Sequence, residues 1–538
     1  MTSLNTKTQT IVIDSILGGT SPTSHYAGKN QFRASIGIDP SFPISSTDST
    51  YSTTASGFIV PVGTRKLSNT PSATPLWIKP NPKNSLLYVY DARGSVYTID
   101  EIITTLTALS DAGTTASLGN GCEYYDNYMY FATNTDITRY GPLNGSAGFV
   151  SNYWTGTLGK TALTNTSYPT TLRNNIQIPN HPLYRHSDGK LYIGDVQGNQ
   201  GCLHYISTKK TTVEGDTDNV STQNKITFGY GLYPTAIAGY GTDIAVSLTE
   251  VSGSSLRQTS SKIAFWDTVS ASYNKMTWVE FPDSIITAMK NVNGVLYVVS
   301  GNYKTRGFRI SRFIGGYSFQ EVFYSEQGEP CLQGAIDSVL NRVSVGSYSS
   351  IPTDNGTVWS VGLQKDGLSN GVFNTFKVTD SGASTCVTAV CYGDATNINF
   401  YTPVVGYTQA GDGSTSANYG IEKYSSITPN VNSYWWSQVF RIGRPFKIIS
   451  VRIPLSNPPN ATTYILPTIY TDNGNSFYNG PTINITNYPN ELNCLVNFNA
   501  AKGKNHFWLS LNFASSSTGV IPVELPIIIE YQLLGPNV

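Results

Sequence analysis

Short runs in which large apolar residues follow a polar turn recur along most of the chain. "NPKNSLLYVYD" stands at 81–91, "YYDNYMYFATN" at 124–134, "HSDGKLYIGD" at 186–195 and "NVNGVLYVVSG" at 291–301. Looser versions are "GYGTDIAVSL" (239–248), "SVLNRVSVGSY" (338–348) and "DATNINFYTPV" (394–404). Each carries Asn, Asp or Gly, which fill tight turns, and continues into Leu, Tyr, Val or Ile, which suit a pleated strand. A second strand-like segment follows every copy. The pairs are 86–91 with 94–100, 128–133 with 137–143, 191–195 with 202–208, 243–248 with 262–268, 295–300 with 307–313, 342–347 with 357–363, and 397–402 with 420–426.

From Leu86 to Asn397 the six intervals between first strands average about 52 residues. A period near 50 built on hairpins is the mark of a β-propeller with one four-stranded blade per repeat. A single hairpin cannot bury its apolar face, whereas blades packed radially bury both. Short apolar segments before the phrase, such as "TPLWIKP" (74–80), "YPTAIAG" (233–239), "IITAMKN" (285–291), "LQGAIDS" (332–338) and "CVTAVCY" (386–392), supply inner strands. The expected fold is all-β: a seven-bladed β-propeller over 71–430, with Tyr88, Tyr130, Tyr192 and Tyr297 in equivalent places, followed by a small antiparallel β-sandwich over 433–538. The sandwich is read from longer alternating strands such as "FKIISVRIPL", "TYILPTIYTD" and "HFWLSLNF". Residues 1–70 are expected to be an N-terminal arm plus a propeller-closing strand, "GFIVPVGTR" at 57–65.

Composition changes this picture little. The chain has 538 residues, enough for two or three domains, and 13% are charged, against roughly 25% in typical soluble domains. Its 34 basic and 34 acidic side chains cancel, which argues against nucleic acid as a partner. No apolar run approaches the roughly 20 residues that span a bilayer, so no membrane insertion is expected. The N-terminus is read as mature sequence without a signal peptide. Six scattered cysteines, with no CxxC pair, read as buried thiols of a chain folded in a reducing cytoplasm.

Candidate chemistry is sparse. "TDNGTVW" (353–359) places Asp354, Gly356 and Trp359 as in the Asp-box turn of sialidase-like propellers, but Pro352 replaces the usual Ser and the motif occurs once. That box is a structural turn, and no catalytic residues are assigned. His181 and His186 in "HPLYRH" are five apart, a spacing that does not put both on one strand face, although a loop can bring such a pair to a metal. "EGDTDN" (214–219) and "TDNGN" (471–475) resemble calcium loops in composition and lack the closing Glu. No cofactor and no enzymatic activity are expected.

Two binding surfaces stand out. The basic run "RIGRPFKIISVR" makes Arg441, Arg444 and Lys447 a candidate assembly contact, with Lys502, Lys504 and His506 nearby in "KGKNHFW". Their ordinary role is to decorate a solvent face or protect a sheet edge. Trp435 and Trp436 in "NSYWWSQ" are a candidate glycan platform, though strand alternation allows only one of them to face solvent.

"ILGGTSPTSHYAGKNQFRASIGIDPSF" (16–42), "GDTDN", "YGTDIAVS", "NVNGVLYVVSG" and "FRIGRPFKIISVRIPL", taken together and in this order, resemble an uncharacterised family of tailed-bacteriophage virion proteins. The resemblance runs from residue 16 to the end and brings no catalytic motif. It implies a virion structural protein, a tail component of the nozzle, hub or fibre-attachment kind, assembled in the host cytoplasm. The partners it implies are other virion proteins, tail or portal-proximal, further copies of the chain in a homo-oligomer, and a host surface glycan. The alternative from another class is a glycan-binding adhesin or a sialidase-like glycoside hydrolase.

Overall fold

The Asp-Asn and Asn-Gly pairs of the repeated phrase turn the chain as their chemistry suggests. Asp126 and Asn127 both have positive φ, as do Asn293 and Gly294, the signature of two-residue type I′ hairpins. In the computed structural model these turns link Gly121–Tyr125 to Tyr128–Ala132 and Ile285–Val292 to Val295–Gly301. The structure describes all residues except 1–6, 17–18, 21–30, 37–56, 61, 84–85, 101–104, 112–120, 134–136, 151–180, 198–199, 207–224, 253–254, 257–259, 275–276, 303–306, 316–317, 326–330, 340–341, 348–355, 363–371, 379–384, 394–402, 410–418, 430–432, 462, 514–520 and 536–538.

The described residues are strands and turns, with two short 3-10 turns, Gln333–Ala335 and Asp472–Gly474. Among them, seven antiparallel sheets follow one another along the chain, each with the four-strand build of a propeller blade. Their inner strands, in order, are Pro75–Pro80, Gly121–Tyr125, Leu183–Arg185, Leu232–Tyr240, Ile285–Val292, Ile336–Val339 and Thr385–Cys391. The fourth sheet carries an additional two-residue strand, Ser255–Leu256.

Six of the seven expected hairpins are present with their strands in the expected order. In the seventh, the expected first strand, 397–402, lies outside the described residues. There the inner strand pairs with Val404–Gln409, which pairs with Tyr419–Pro429. Val62–Lys66 completes that sheet as its fourth strand. The other half of the expected closing segment, Gly57–Val60, pairs with Ile521–Glu524 instead.

Each inner strand packs beside the inner strand of the next sheet, and Thr385–Cys391 packs beside Pro75–Pro80. Inner-strand bulges reinforce this succession. At Thr235 and Thr388 the ladder slips by one residue, freeing the hydroxyl to reach outward. Thr235 Oγ1 donates to Ile286 O at 2.6 Å, and Thr388 Oγ1 donates to Pro75 O at 2.5 Å. Ion pairs do the same: Lys79 with Glu123 and Lys290 with Asp337, both at 2.9 Å. Asp337 also accepts the Tyr392 N–H at 2.9 Å, so one carboxylate ties the fifth, sixth and seventh sheets.

Apolar residues from nearly every sheet meet in one buried cluster, among them Leu76, Cys122, Val196, Tyr233, Ile285, Leu332 and Cys386. Tyr88, Tyr130, Tyr192 and Tyr297 are all buried in the second strand of their sheets, opposite Lys79, Glu123, Tyr184 and Lys290. All six cysteines are buried, and none is in a disulfide. Burial pushes the Cys391 and Cys494 thiols up to about 12, which suits thiols that only fill space.

By internal packing the chain divides into two compact units: Lys66–Gly356 with Asp380–Lys423, here the repeat unit, and Met1–Arg65 with Thr357–Thr379 and Tyr424–Val538, here the terminal unit. Besides the hairpin Thr357–Gly362 with Val372–Lys377, counted above in the sixth sheet, the terminal unit holds two short pairings and two larger sheets among its described residues. One orders Thr8–Ile13, Ile527–Leu533, Phe446–Pro454 and Asn493–Asn497. The other orders Ser476–Asn479, Ile465–Thr471, His506–Phe513, Ser433–Trp436 and Ala34–Ile36.

Alternating inward residues of both sheets, such as Ile448, Val451, Ile527 and Ile529 from one and Ile469, Leu509, Leu511 and Trp435 from the other, share a single core. Residues 1–70 read as an N-terminal arm with a closing strand, yet Thr8–Ile13 and Ala34–Ile36 are strands of these sheets. The reason is local. "TQTIVI" is rich in β-branched residues and places Ile11 and Ile13 against the core.

Candidate functional site

The second sheet of the terminal unit buries one face and lays aromatic rings along the other. Cross-strand partners point to the same side, and successive residues alternate. Tyr470 is opposite both Phe477 and Trp508, while Trp436 and Tyr434 are opposite Ser510 and Asn512 on the same central strand. These five aromatic residues therefore share the face opposite Trp435, Leu509 and Leu511. Tyr470 and Trp508 stack with centroids 5.1 Å apart and planes at 4°. Tyr434 meets Trp436 at 5.3 Å, Trp436 meets Tyr470 at 6.1 Å, and Phe477 extends the row beside Tyr470 at 6.1 Å. Phe477 is 62% exposed, large for a phenylalanine.

Arg33 closes one side of this face. Its backbone N–H donates to Trp436 O at 3.0 Å, and its guanidinium lies 4.4 Å from the Trp508 ring centroid and 5.4 Å from that of Trp436. Partial burial lowers its pKa from the ordinary value, but a guanidinium stays charged. Beside it opens a cleft of about 440 Å³ lined by Arg33, Arg441, Asn473, Asn505, His506 and Trp508, with Val439 and Gly443 at its margins.

The wall of the cleft is a strained turn held by hydrogen bonds. Asp472 and Asn473 have φ of 52° and 63°, left-handed values that Asp and Asn tolerate better than most residues. Asp472 Oδ1 accepts the Lys504 N–H at 2.9 Å. Asn473 N–H donates to His506 Nε2 at 2.8 Å, which places the proton of neutral His506 on Nδ1. The "TDNGN" segment thus serves as a rigid edge. The arrangement offers two guanidinium groups, an imidazole, two amides and aromatic surface. That set suits a saccharide bearing a carboxylate or phosphate, bound by stacking and charge-assisted hydrogen bonds.

The candidates drawn from sequence fare unequally. Trp435 is fully buried in the core and cannot serve a glycan platform; Trp436 faces outward with Tyr434. The pair does not act together because side chains alternate across a strand. The basic run is split as well. Arg441 lies on Phe440–Arg441, paired with His506–Phe513, and lines the cleft. A turn at Gly443, with φ of 69°, then carries the chain to the other sheet. Exposed Arg444 follows it, and half-buried Lys447 stands opposite Lys502.

His181 and His186 part company. His181 is buried against Asp195, whereas His186 Nδ1 lies 3.2 Å from Asp188 Oδ1. Asp354 and "EGDTDN" lie outside the described residues. Arg33, Tyr470, Phe477 and Trp508 belong to no motif that marks them in the sequence. Alternation in "TYILPTIYTD" and "HFWLSLNF" marks Tyr470 and Trp508 as one-face residues, but which face is solvent depends on the partner sheet.

No protein-family model matches the chain, and no curated protein does. Among solved structures, the β-propeller domain of Cps50 (Swd1) from Myceliophteria thermophila is similar, at 10% identity over 66% of this chain and 99% of that one, with a TM-score of 0.39.

Proposed function

We propose that the protein is a structural component of a tailed-bacteriophage virion, placed in the tail, that also contacts the host surface. In this reading the seven four-stranded sheets form a seven-bladed β-propeller acting as a rigid body, and the two larger sheets of the terminal unit form a β-sandwich that carries the contact surface. The closed succession of seven inner strands supports the blade count, and the single core between two sheets supports the sandwich. The virion context rests on the ordered sequence resemblance from residue 16 onward. Buried cysteines without disulfides fit assembly in a reducing host cytoplasm.

One observation carries the attachment role: the aromatic row from Tyr434 to Phe477 beside a cleft with two arginines. A surface of stacked rings with convergent polar groups is built for a ligand more than for solvent. It equally favours a second reading, a glycan-binding adhesin that works outside any particle. The two separate by location. Mass spectrometry of gradient-purified particles from a phage encoding this chain should find it at a stoichiometry fixed relative to the other tail proteins, and antibody labelling should mark the tail. Its absence from purified particles would overturn the virion reading and leave the adhesin.

A further inference from the structure

The third sheet holds a polar cluster that neither the repeat nor the cleft uses. Asp195 on Leu191–Gln197 is the direct cross-strand partner of Cys202 on Gln200–Ile206, and His204 stands two residues beyond Cys202. Period-2 alternation puts all three side chains on one face of the sheet. They are at most 1% exposed. His204 Nε2 lies 3.2 Å from Asp195 Oδ2 and 3.5 Å from Cys202 Sγ, and the three donor atoms all lie within 4.8 Å of one another. His181, just before the inner strand, places Nδ1 3.4 Å from Asp195 Oδ1 and 3.2 Å from Gly194 O.

We propose that Asp195, Cys202 and His204 form a binding site for a zinc-type divalent transition metal ion. The donor set is one thiolate, one imidazole and one carboxylate, all ordinary zinc ligands, and the thiolate disfavours calcium and magnesium. The spacing supplies an independent check. A tetrahedral ion with bonds of about 2.0–2.1 Å to N or O and about 2.3 Å to S requires N–O and N–S separations of about 3.3 and about 3.5 Å. The two His204 edges, 3.2 and 3.5 Å, meet this requirement with shifts of a tenth of an ångström or so, and the third, Asp195 to Cys202, lies within 4.8 Å.

Hydrogen-bonded neighbouring strands fix two of the three ligands relative to each other before any ion arrives. His181 Nδ1 lies 3.4 Å from the other carboxylate oxygen of Asp195, the place from which a neighbour supports a ligating carboxylate. On loading, the Cys202 thiol gives its proton to solvent and the sulfur binds as thiolate. Because the ligands are buried, the ion enters as the sheet folds, and its binding stabilises the fold.

The test uses the full chain, produced with zinc and dialysed into metal-free buffer, with elemental analysis. About one equivalent of zinc per chain is expected, falling about tenfold or more in Cys202→Ser and in His204→Gln and unchanged in Cys494→Ala. Replacement of zinc by cobalt should give a thiolate-to-cobalt charge-transfer band and intense tetrahedral ligand-field bands, abolished by Cys202→Ser. A folded wild-type chain without stoichiometric metal, or a cobalt form lacking the thiolate band, overturns the proposal and leaves a hydrogen-bonded Asp–His cluster. If the variants do not fold, the wild-type cobalt spectrum decides alone.

Discussion

The repeat unit and the terminal unit reach all-β structure by opposite routes. Most sheets of the repeat unit take four strands that are consecutive in the chain, joined by short turns such as Asp126–Asn127. The terminal unit pairs Thr8–Ile13 with Ile527–Leu533, and Tyr531 Oη donates to Gln9 Oε1 at 2.5 Å across almost the whole length of the chain. Local pairing needs little loop closure, whereas pairing the two ends demands that everything between them be placed first. The terminal unit should therefore depend on its ends far more than the repeat unit depends on any one hairpin.

The largest effect should follow removal of residues 1–16. This strips the outer strand from Ile527–Leu533 and takes Ile13 and Ile16 out of the core. A loss of about 4 kcal/mol or more is expected for the terminal unit, by the scale of two buried apolar deletions. Denaturant titration should show its transition moving while that of the repeat unit stays. An unchanged profile would mean that the end pairing contributes nothing.

Gly334→Val is the matching break in the repeat unit. A Cβ at Gly334 would collide with the carbonyl oxygen of Leu76, so the substitution forces backbone to move inside the buried cluster. About 3 kcal/mol of destabilisation, confined to the repeat-unit transition, is the expected cost. Equal stability of the variant would show that Leu76 and Gly334 are not packed as described.

A smaller effect should come from Asp337→Asn, about 1–2 kcal/mol because both members of the Lys290 pair are partly exposed. Burial alone would push the Asp337 carboxyl up, but the Lys290 ammonium and the Lys290 and Tyr392 hydrogen bonds outweigh it and hold it below the ordinary range. A depressed folded-state pKa contributes stability above the unfolded value of about 3.9 and loses it as pH falls through the folded value. Urea midpoints measured from neutral pH downward should converge for wild type and variant below about pH 4. A constant gap down to strong acid would remove Asp337 from the account.

The same contrast explains what the sequence discloses. Hairpin chemistry is written within a dozen residues, so the phrase around Tyr88, Tyr130, Tyr192 and Tyr297 shows both strands and their period. The pairing of Thr8–Ile13 with Ile527–Leu533 is written nowhere locally, and a polar, Thr-rich segment looks like an arm. The cleft suffers similarly. Alternation shows that Trp435 and Trp436 face opposite ways, but Arg33 reaches Trp508 only through folding of a distant strand. The cluster of Asp195, Cys202 and His204 lacks any metal motif because its ligands come from cross-strand registry, which a linear spacing rule does not capture.

The measurement that bears most directly on the proposed role is saccharide binding to the cleft, followed by saturation-transfer NMR and titration on the intact chain. A saccharide carrying a carboxylate or phosphate should bind wild type, and Trp436→Ala and Arg441→Ala should each weaken it about tenfold, about 1.4 kcal/mol. Arg444→Ala, outside the cleft lining, should leave it unchanged. Failure of wild type to bind any acidic saccharide, or binding indifferent to Trp436 and Arg441, would contradict the claim that this face meets the host surface.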